Sequence, residues 1–506
     1  MIYGGEFKKF IRDICECVKN YKVDLDIIAL FNYDRITEYR SGYCQSRMMD
    51  KYILPACIEF TINTLKSKLT DSLKINLTNV HDFTDNISIN SNIDDNNYYY
   101  FPYIITPQEL SVGMLLSKIR SPIVKKENIM EIDSKKNIME IDSKENIMEI
   151  DSKEINNKVN ILCMKLNFKT NSFNDKSDVD VIETSNNINN IRTYATKIEL
   201  DKKYEERKDK LKIAIGNVKL NSENFTKIIE KRYKKTYQKY SDLSYVINQA
   251  LKEKADMLIL PESYVPFAWL PIIARTCAKN QLSIVTGIEH FVYEKRVFNF
   301  TVNITPYVKD DFKFAHITYH LKTHYSPEER RIIENNFLTP IEGKTYDLIN
   351  WKNLWFTTYC CFELASIYDR AIFKNYPDLF IAVEWNHDTA YFSSIIESLC
   401  RDIHCYCAQV NSSDYGDSRI LRPSRSEKRD IVKTKGGINN TILIGEIDIA
   451  ELRSFQRKDY ELQKENKEFK PTPPQFNNKI AIDKINNELW DFIKEDSNKK
   501  NSVITK

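Results

Sequence analysis

The sequence predicts an α/β fold from about residue 211 onward, and two observations support this prediction. Short runs rich in β-branched and aromatic residues alternate there with runs in which apolar residues recur every three or four positions. Such alternation is typical of sheets covered by helices, and two facing sheets can share these strands. The predicted strands are 211–218, 256–262, 282–290, 297–304, 312–319, 354–363, 378–385, 404–412 and 439–448. The predicted helical runs are 243–254, 270–279, 367–374 and 391–403.

The residues before this block have a different composition. Apolar residues at helical spacing, such as Phe10, Ile14 and Val18, predict a mainly helical N-terminal region over residues 1–120. The octapeptide NIMEIDSK then occurs three times within 128–153, and a polar run follows at 171–190. Because both stretches offer little apolar surface to bury, we expect a low-complexity linker over 121–205. The α/β domain is expected at 206–456, followed by a proline-containing extension at 457–506.

The bulk composition gives no support to several classes of partner. The 74 basic and 71 acidic residues leave a net charge of +3, so a nucleic-acid partner is unsupported. No run reaches the ~18 apolar residues that a membrane-spanning helix requires, so no membrane partner is expected. Eleven cysteines without C-x-x-C spacing, and an N-terminus without an apolar signal segment, predict reduced thiols and a cytoplasmic location.

Three residues with chemical potential each close a predicted strand. Glu262 follows the apolar run MLIL, Lys322 lies in HLKTHYSPEER, and Cys361 falls near the end of LWFTTYCCFE. In α/β folds, functional side chains lie where buried strands end. Taken singly, a helix-capping carboxylate, a surface lysine and an inert buried cysteine are the commoner interpretations. Together, a base, a cation and a thiol supply the parts of nucleophilic catalysis at a carbonyl or nitrile carbon.

These motifs resemble those of the nitrilase, or carbon-nitrogen hydrolase, superfamily. LPES at 260–263, KTHYSPEE at 322–329 and CFE at 361–363 match the L-P-E, K-x-x-x-x-P and C-[YF]-[ED] contexts of the family in the same order. The resemblance covers about half of the chain. It implies an α-β-β-α sandwich, a homo-oligomer formed through this domain, and hydrolysis of a small non-peptide amide, nitrile or carbamyl substrate, with no cofactor.

The resemblance also implies a role for each residue. Glu262 would deprotonate Cys361, and the thiolate would attack the substrate carbon. Lys322 and the backbone N–H of Phe362 would hold the developing oxyanion, and Glu262 would activate the water that hydrolyses the thioester. Because adjacent strand residues face opposite sides, we expect only one of Cys360 and Cys361 to point into the site.

Further candidates for the site follow from the same resemblance. Many members of the family have a second glutamate beside the lysine, and both Glu328 and Glu329 fit that position. Their neighbours Arg330 and Arg331 also support a simple surface ion-pair interpretation. The candidates for the substrate pocket, within the run AVEWNHD, are Trp385 and Asn386.

Two patterns are reminiscent of zinc sites, but each is better interpreted without a metal. His316, His320 and His324 are spaced by four residues, as on a zinc-binding helix, yet their segment is strand-like. The second pattern lacks a second paired half-site, which favours a packed strand with incidental thiols. It consists of Cys400, His404, Cys405 and Cys407. No metal site is expected.

The C-terminal half, including its proline-rich segment 470–476, is also similar to a bacterial group in which a nitrilase domain accompanies a reverse transcriptase associated with phage defence. No Y-x-D-D motif occurs in residues 1–210, and Asp94 and Asp95 lie in an Asn-rich polar run, so polymerase activity is not supported. The alternative to an enzyme is a nitrilase-fold scaffold or signalling module of a multi-component antiviral system. Its N-terminal region would then bind a protein or nucleic-acid partner.

Overall fold

The computed structural model describes residues 179–184, 191–199, 209–230, 237–309, 312–466 and 468–504, with scattered helical positions in 108–119 and 153–157 and residue 151. Apart from those positions, the predicted helical N-terminal region and the NIMEIDSK repeats lie outside the described residues. The chain divides into two compact units, one of which comprises 1–120, 154–177 and 268–276. The other comprises 121–153, 178–267 and 277–506, and it contains the sheets and the candidate site.

In the described residues, seventeen strands form three sheets. The strands are β1 (Val179–Glu183), β2 (Arg192–Ile198), β3 (Lys210–Asn217), β4 (Met257–Ile259), β5 (Ser283–Gly287), β6 (Phe291–Tyr293), β7 (Arg296–Phe298), β8 (Phe300–Lys309), β9 (Phe312–Leu321), β10 (Thr339–Pro340), β11 (Thr345–Trp351), β12 (Leu354–Cys360), β13 (Leu379–Val383), β14 (Tyr406–Val410), β15 (Ser418–Leu421), β16 (Asp430–Thr434) and β17 (Thr441–Asp448). The strand orders are β17-β3-β4-β5-β8-β9, β1-β2-β11-β12-β13-β14-β15-β16 and β10-β7-β6.

The helices of the described residues lie mainly between and after these strands. They are α1 (Ser222–Ile229), α2 (Tyr237–Lys252), α3 (Leu270–Asn280), α4 (Pro327–Asn335), α5 (Ile367–Ala371), α6 (Thr389–Leu399), α7 (Ser426–Arg429), α8 (Ile449–Gln456), α9 (Tyr460–Glu465), α10 (Asn478–Asn486) and α11 (Leu489–Ile504). Short 3-10 helices cover Phe267–Trp269 and Cys361–Ala365, and a π-helical turn covers Cys400–His404. None of the described helices is both long enough and apolar enough to span a membrane.

The six-stranded and eight-stranded sheets face each other across a shared apolar core. Ile213 of β3 and Ile259 of β4 pack in one cluster with Phe356 of β12 and Ile381 of β13. The indole N–H of Trp351, at the end of β11, donates to the carbonyl of Pro306 on β8 at 2.7 Å. Removal of this apolar surface from water is the main force that holds the sheets together.

Helices cover the outer faces of the two sheets. Tyr346 and Phe380, on the outer face of the eight-stranded sheet, pack with Ile396 of α6, Ile480 of α10 and Trp490 of α11. On the six-stranded sheet, α2 contacts β17. This layering confirms the predicted α/β fold with two facing sheets between helices.

The eight-stranded sheet extends past the domain limits expected from composition. β1 and β2 fall within the predicted linker, yet β2 pairs in parallel with β11, and Val179 and Val181 join the core between the sheets. At the other end, α10 and α11 fall within the predicted extension and pack on the outer face. Only alternate residues of β1 are buried, so its polar composition conceals an apolar face.

Candidate active site

Three strand ends place the predicted catalytic residues in one site. Glu262 lies three residues beyond β4, Lys322 follows β9, and Cys361 follows β12. The first two strands belong to the six-stranded sheet, and the third belongs to the facing sheet. After burial, the charges of Glu262 and Lys322 have the largest effects on the pKa of the Cys361 thiol, so the three side chains lie near one another.

Lys322 is the centre of a buried network of charges. Its Nζ donates to Oε1 of Glu262 at 2.8 Å and to Oε2 of Glu329 at 2.7 Å. Nδ2 of Asn299 donates to the same two carboxylates, at 2.8 and 2.9 Å. Burial opposes the ammonium charge of Lys322, but the two carboxylates outweigh it and raise its pKa well above the ordinary value. Lys322 is therefore a fixed cation between two carboxylates.

The two candidates for the second glutamate occupy different environments. Glu329 is the third residue of α4 and turns back to cap the start of that helix and to contact Lys322. Burial favours its neutral form, but Lys322 and His290 outweigh it and lower its pKa far below the usual range. Glu328 points to solvent and pairs with Arg331 at 2.6 Å. Of the two, the structure brings only Glu329 to the site.

Cys361 lies at a strained turn. Its φ is +46°, a region that non-glycine residues rarely adopt, and it begins the 3-10 helix that follows β12. The turn breaks the alternation of the strand, so Cys360 and Cys361 both lie in the cluster between the sheets. The expectation that adjacent residues would face opposite sides is therefore wrong here. Strain of this kind is concentrated at functional sites.

The surroundings of Cys361 favour the protonated form of its thiol. Burial and the negative charge of Glu262 raise its pKa well above the ordinary value, whereas Lys322 and a hydrogen bond from the backbone N–H of Trp385 lower it. Since the thiolate is the nucleophilic form, the thiol must lose its proton as it reacts. Glu262 is the adjacent carboxylate that can accept this proton.

Glu363 stabilises the turn that contains Cys361 through buried hydrogen bonds. Its buried carboxylate accepts a hydrogen bond of 2.7 Å from the backbone N–H of Cys360 and one of 2.8 Å from Nε2 of His320. His320 in turn lies 3.0 Å, through Nδ1, from the carbonyl oxygen of Thr345 on β11. Glu363 thus links the end of β12 to the end of β9.

The remaining predicted residues lie around this centre with different partners. Trp385 is half-buried, and its ring lies edge-on to Phe225 with the centroids 6.2 Å apart. Asn386 exchanges hydrogen bonds with Asn411, at 3.0 and 2.7 Å, and so holds its own loop. The side chain of Phe362 packs against the cluster on the outer face. Of the two pocket candidates, Trp385 is the one whose backbone N–H contacts the Cys361 thiol.

Two site residues, Asn299 and His290, are not predicted from the sequence. Asn299 stands between Phe298 and Phe300, and a polar residue that is buried among aromatic neighbours must find a hydrogen-bond partner. A single asparagine between two phenylalanines is thus the sequence feature that could indicate Asn299 as a site residue. His290 ends the run TGIEH and lies 2.7 Å, through Nε2, from Oε1 of Glu329.

The histidines with four-residue spacing lie in three different environments. His316 is buried, and burial lowers its pKa to about 4. His320 contacts Glu363, and Nε2 of His324 lies 2.7 Å from Asp369. Within the described part of the chain, no group of three His, Cys, Asp or Glu side chains is arranged to hold a metal ion. In the second zinc-like pattern, the cysteines close to His404 are buried free thiols: Cys400, Cys405 and Cys407.

Comparisons with known proteins find similarity among solved structures. No protein-family model matches the sequence, and no curated protein matches it. A CN-hydrolase superfamily protein from Xanthomonas campestris is 16% identical, with a TM-score of 0.37 over 51% of this chain and 98% of that one. A mutant of the amidase from Nesterenkonia sp. AN1 is 12% identical, with a TM-score of 0.35 over 50% of this chain and 96% of that one. The NitFhit protein of C. elegans is 14% identical, with a TM-score of 0.35 over 50% of this chain and 64% of that one.

Proposed function

We propose that this protein is a carbon-nitrogen hydrolase that cleaves a small amide, nitrile or carbamyl compound through a thioester on Cys361. The observation that carries the proposal is the buried network in which Lys322 bridges Glu262 and Glu329 beside the Cys361 thiol. A base, a cation and a nucleophile, brought together from three strand ends, are the parts that acyl transfer requires.

For an amide substrate the proposed reaction has two stages, the formation of a thioester and its hydrolysis. Glu262 takes the thiol proton while Sγ of Cys361 bonds to the carbonyl carbon, and Lys322 and the backbone N–H of Phe362 stabilise the negative oxygen. The C–N bond then breaks, and the proton passes from Glu262 to the leaving amine. Glu262 next deprotonates a water molecule that attacks the thioester, and the thiolate leaves and regains that proton. The products are a carboxylic acid and an amine or ammonia.

Glu329 has a positioning role in this scheme. Its Oε1 lies near two donors, Asn299 and His290, and its Oε2 accepts from Lys322. A carboxylate with so many donors and a strongly lowered pKa stays ionised, so it holds Lys322 and transfers no proton.

Alkylation of the thiol by iodoacetamide, followed by intact-protein mass spectrometry, tests the proposal. Wild-type protein should take one carbamidomethyl group rapidly on Cys361, and Cys361→Ser should abolish this fast labelling together with ammonia release from a panel of small amides and nitriles. Cys360→Ser is the matched control, because it removes the neighbouring thiol. If Cys361→Ser keeps full biological function while it folds normally, the protein is a scaffold or signalling module.

The expected partners are also proposals. A homo-oligomer formed through this domain would place apolar residues between copies, and Ile367 and Tyr368 of α5 are 71% and 70% exposed. Light scattering after gel filtration, with Tyr368→Glu as the variant, tests that surface. Cytoplasmic location is proposed on the cysteine pattern of the sequence, and an association with a reverse transcriptase is proposed on the sequence resemblance alone.

A further inference from the structure

We propose that His290 is a positioning residue of this site, which acts through Glu329 to keep Lys322 shared between two carboxylates. The inference rests on the proposed function and adds a residue to it. His290 is buried, at 5% exposure, and lies on the loop that follows β5.

His290 connects two parts of the site that come from different loops. Its Nε2 lies 2.7 Å from Oε1 of Glu329, at the start of α4. Its Nδ1 lies 3.2 Å from Oγ of Ser263, the residue after Glu262. The ring of Phe225 packs against it with centroids 4.5 Å apart, which restricts rotation of the imidazole. The loop of the base and the helix of the second glutamate are therefore joined through one imidazole.

The partners of the ring determine where its proton lies. Glu329 is anionic, so Nε2 must carry a proton to donate to it. The hydroxyl of Ser263 is then able to donate to Nδ1 when the ring is neutral. Ser263 has a φ of +55°, a region that non-glycine residues rarely adopt, and its hydroxyl contacts the ring of His290.

The charges explain what His290 contributes. Lys322 donates to one carboxylate on each side, at 2.8 and 2.7 Å, and both pairs lie in a buried environment. The hydrogen bond from His290 to Glu329 disperses the negative charge of that carboxylate and contributes to its lowered pKa. Without His290, Glu329 attracts Lys322 more strongly, and Lys322 moves away from Glu262 and from the oxyanion that it would stabilise.

Nitrogen NMR of the His290 imidazole tests whether Nε2 carries the proton. This measurement does not require enzymatic activity. The His290 signals are assigned by their disappearance in His290→Phe. We expect a proton on Nε2 throughout the pH range in which the protein is folded. A ring that carries its proton on Nδ1 alone would overturn the inference.

The pH profile of Cys361 alkylation by iodoacetamide tests whether His290 keeps Lys322 in place. His290→Phe keeps an aromatic ring against Phe225 but removes the donor, and should slow alkylation by about 10- to 100-fold and move the acid limb of the profile to higher pH. His290→Gln retains an N–H donor and should recover much of the rate. His316→Phe is the matched control, since it replaces another buried histidine of the same domain and should leave the profile unchanged.

The outcomes separate the inference from the proposed function. An unchanged alkylation profile in a folded His290→Phe protein would overturn the role of His290 and leave the hydrolase proposal intact. A wild-type Cys361 that reacts no faster than Cys360 would overturn the hydrolase proposal, and the role of His290 with it. Thermal unfolding of each variant shows whether a slower reaction reflects loss of the fold.

Discussion

The carboxylate of Glu363 accepts a hydrogen bond of 2.6 Å from the backbone N–H of Thr323. Thr323 follows Lys322 directly, and Glu363 lies two residues after Cys361, so this bond joins the loop of the cation to the turn of the nucleophile. The two segments extend from different sheets. Their relative position therefore depends on a buried anion as well as on packing.

Replacement of Glu363 by glutamine should be strongly destabilising. The amide nitrogen of glutamine cannot accept hydrogen bonds, so at least one of the buried donors of Cys360, Thr323 and His320 loses its partner. We expect a loss of about 3–5 kcal/mol in the free energy of unfolding, measured by urea denaturation. Glu334→Gln is the control, because the side chain of Glu334 is 53% exposed. Loss of its charge should change the free energy of unfolding by less than about 0.5 kcal/mol. Equal effects would contradict the structural role of Glu363.

The Glu363–His320 pair should make stability depend on pH. Burial opposes both charges, but each partner outweighs it, so the pKa of Glu363 is lowered and that of His320 is raised. The glutamate contribution is complete above about pH 4.3 and is lost on acidification, and the histidine contribution is complete below about pH 6.5 and is lost as pH rises through the folded-state pKa. The stabilisation from this pair should therefore peak between these values. Urea titrations at several pH values should show a flatter profile in Glu363→Gln, and parallel profiles would refute the assignment.

The two neighbouring glutamates of α4 should respond differently to the same substitution. Glu329→Gln removes one of the two anions that hold Lys322, so alkylation of Cys361 and hydrolysis should fall by about 100-fold. Glu328→Gln breaks only an exposed ion pair with Arg331 and should leave both rates unchanged. A loss of activity in Glu328→Gln alone would show that the site uses the other carboxylate.

A side chain at position 287 should displace the base. The Cβ atom of Gly287→Ala would collide with Cα of Glu262 and the backbone nitrogen of Ser263, neither of which can rotate away. We expect a loss of about 1–3 kcal/mol in stability and a marked fall in the alkylation rate of Cys361. In Gly445→Ala the nearest atoms are side-chain methyl groups, the closest being Cδ1 of Ile420 at 2.9 Å, so the reaction rate should persist. Normal labelling of Gly287→Ala would contradict the close approach.

The central residues of the site are predictable because each follows a strand that is visible in the local pattern. Glu262, Lys322 and Cys361 all close apolar runs. Asn299 and His290 are harder to predict, because their partner Glu329 lies 30 and 39 residues away and only the folded chain brings it near. The choice of Glu329 over Glu328 depends on helix geometry that the S-P-E-E run at 326–329 specifies, since the third residue of a capping box turns back to the helix start.

The edges of the fold are less predictable than its centre. β1 and β2 bury apolar residues only because β11 provides the adjacent edge, so their own composition resembles that of a linker. The same reasoning applies to α8 and α10, because their side chains Arg453 and Lys484 bind the buried carboxylate of Asp378, which is 75 and 106 residues away in the sequence.

Asp378, just before β13, holds the C-terminal helices to the sheet. Its Oδ1 accepts hydrogen bonds from Nζ of Lys484 at 2.9 Å and from Nε of Arg453 at 3.0 Å, and its Oδ2 accepts from the backbone N–H of Trp355 at 3.0 Å. The three charged side chains are almost completely buried. Two cations therefore share one anion, and burial together with the charge of Arg453 outweighs Asp378 and lowers the pKa of Lys484.

Substitutions in this cluster should have unequal effects. Asp378→Asn leaves Arg453 and Lys484 buried without a counter-charge, so stability should fall by about 3–5 kcal/mol in urea denaturation. Lys484→Met removes the surplus cation and keeps the Asp378–Arg453 pair, so it should cost much less, because an apolar side chain of similar length replaces a poorly solvated ammonium. A Lys484→Met protein that is as unstable as Asp378→Asn would show that the lysine, rather than the shared anion, anchors α10.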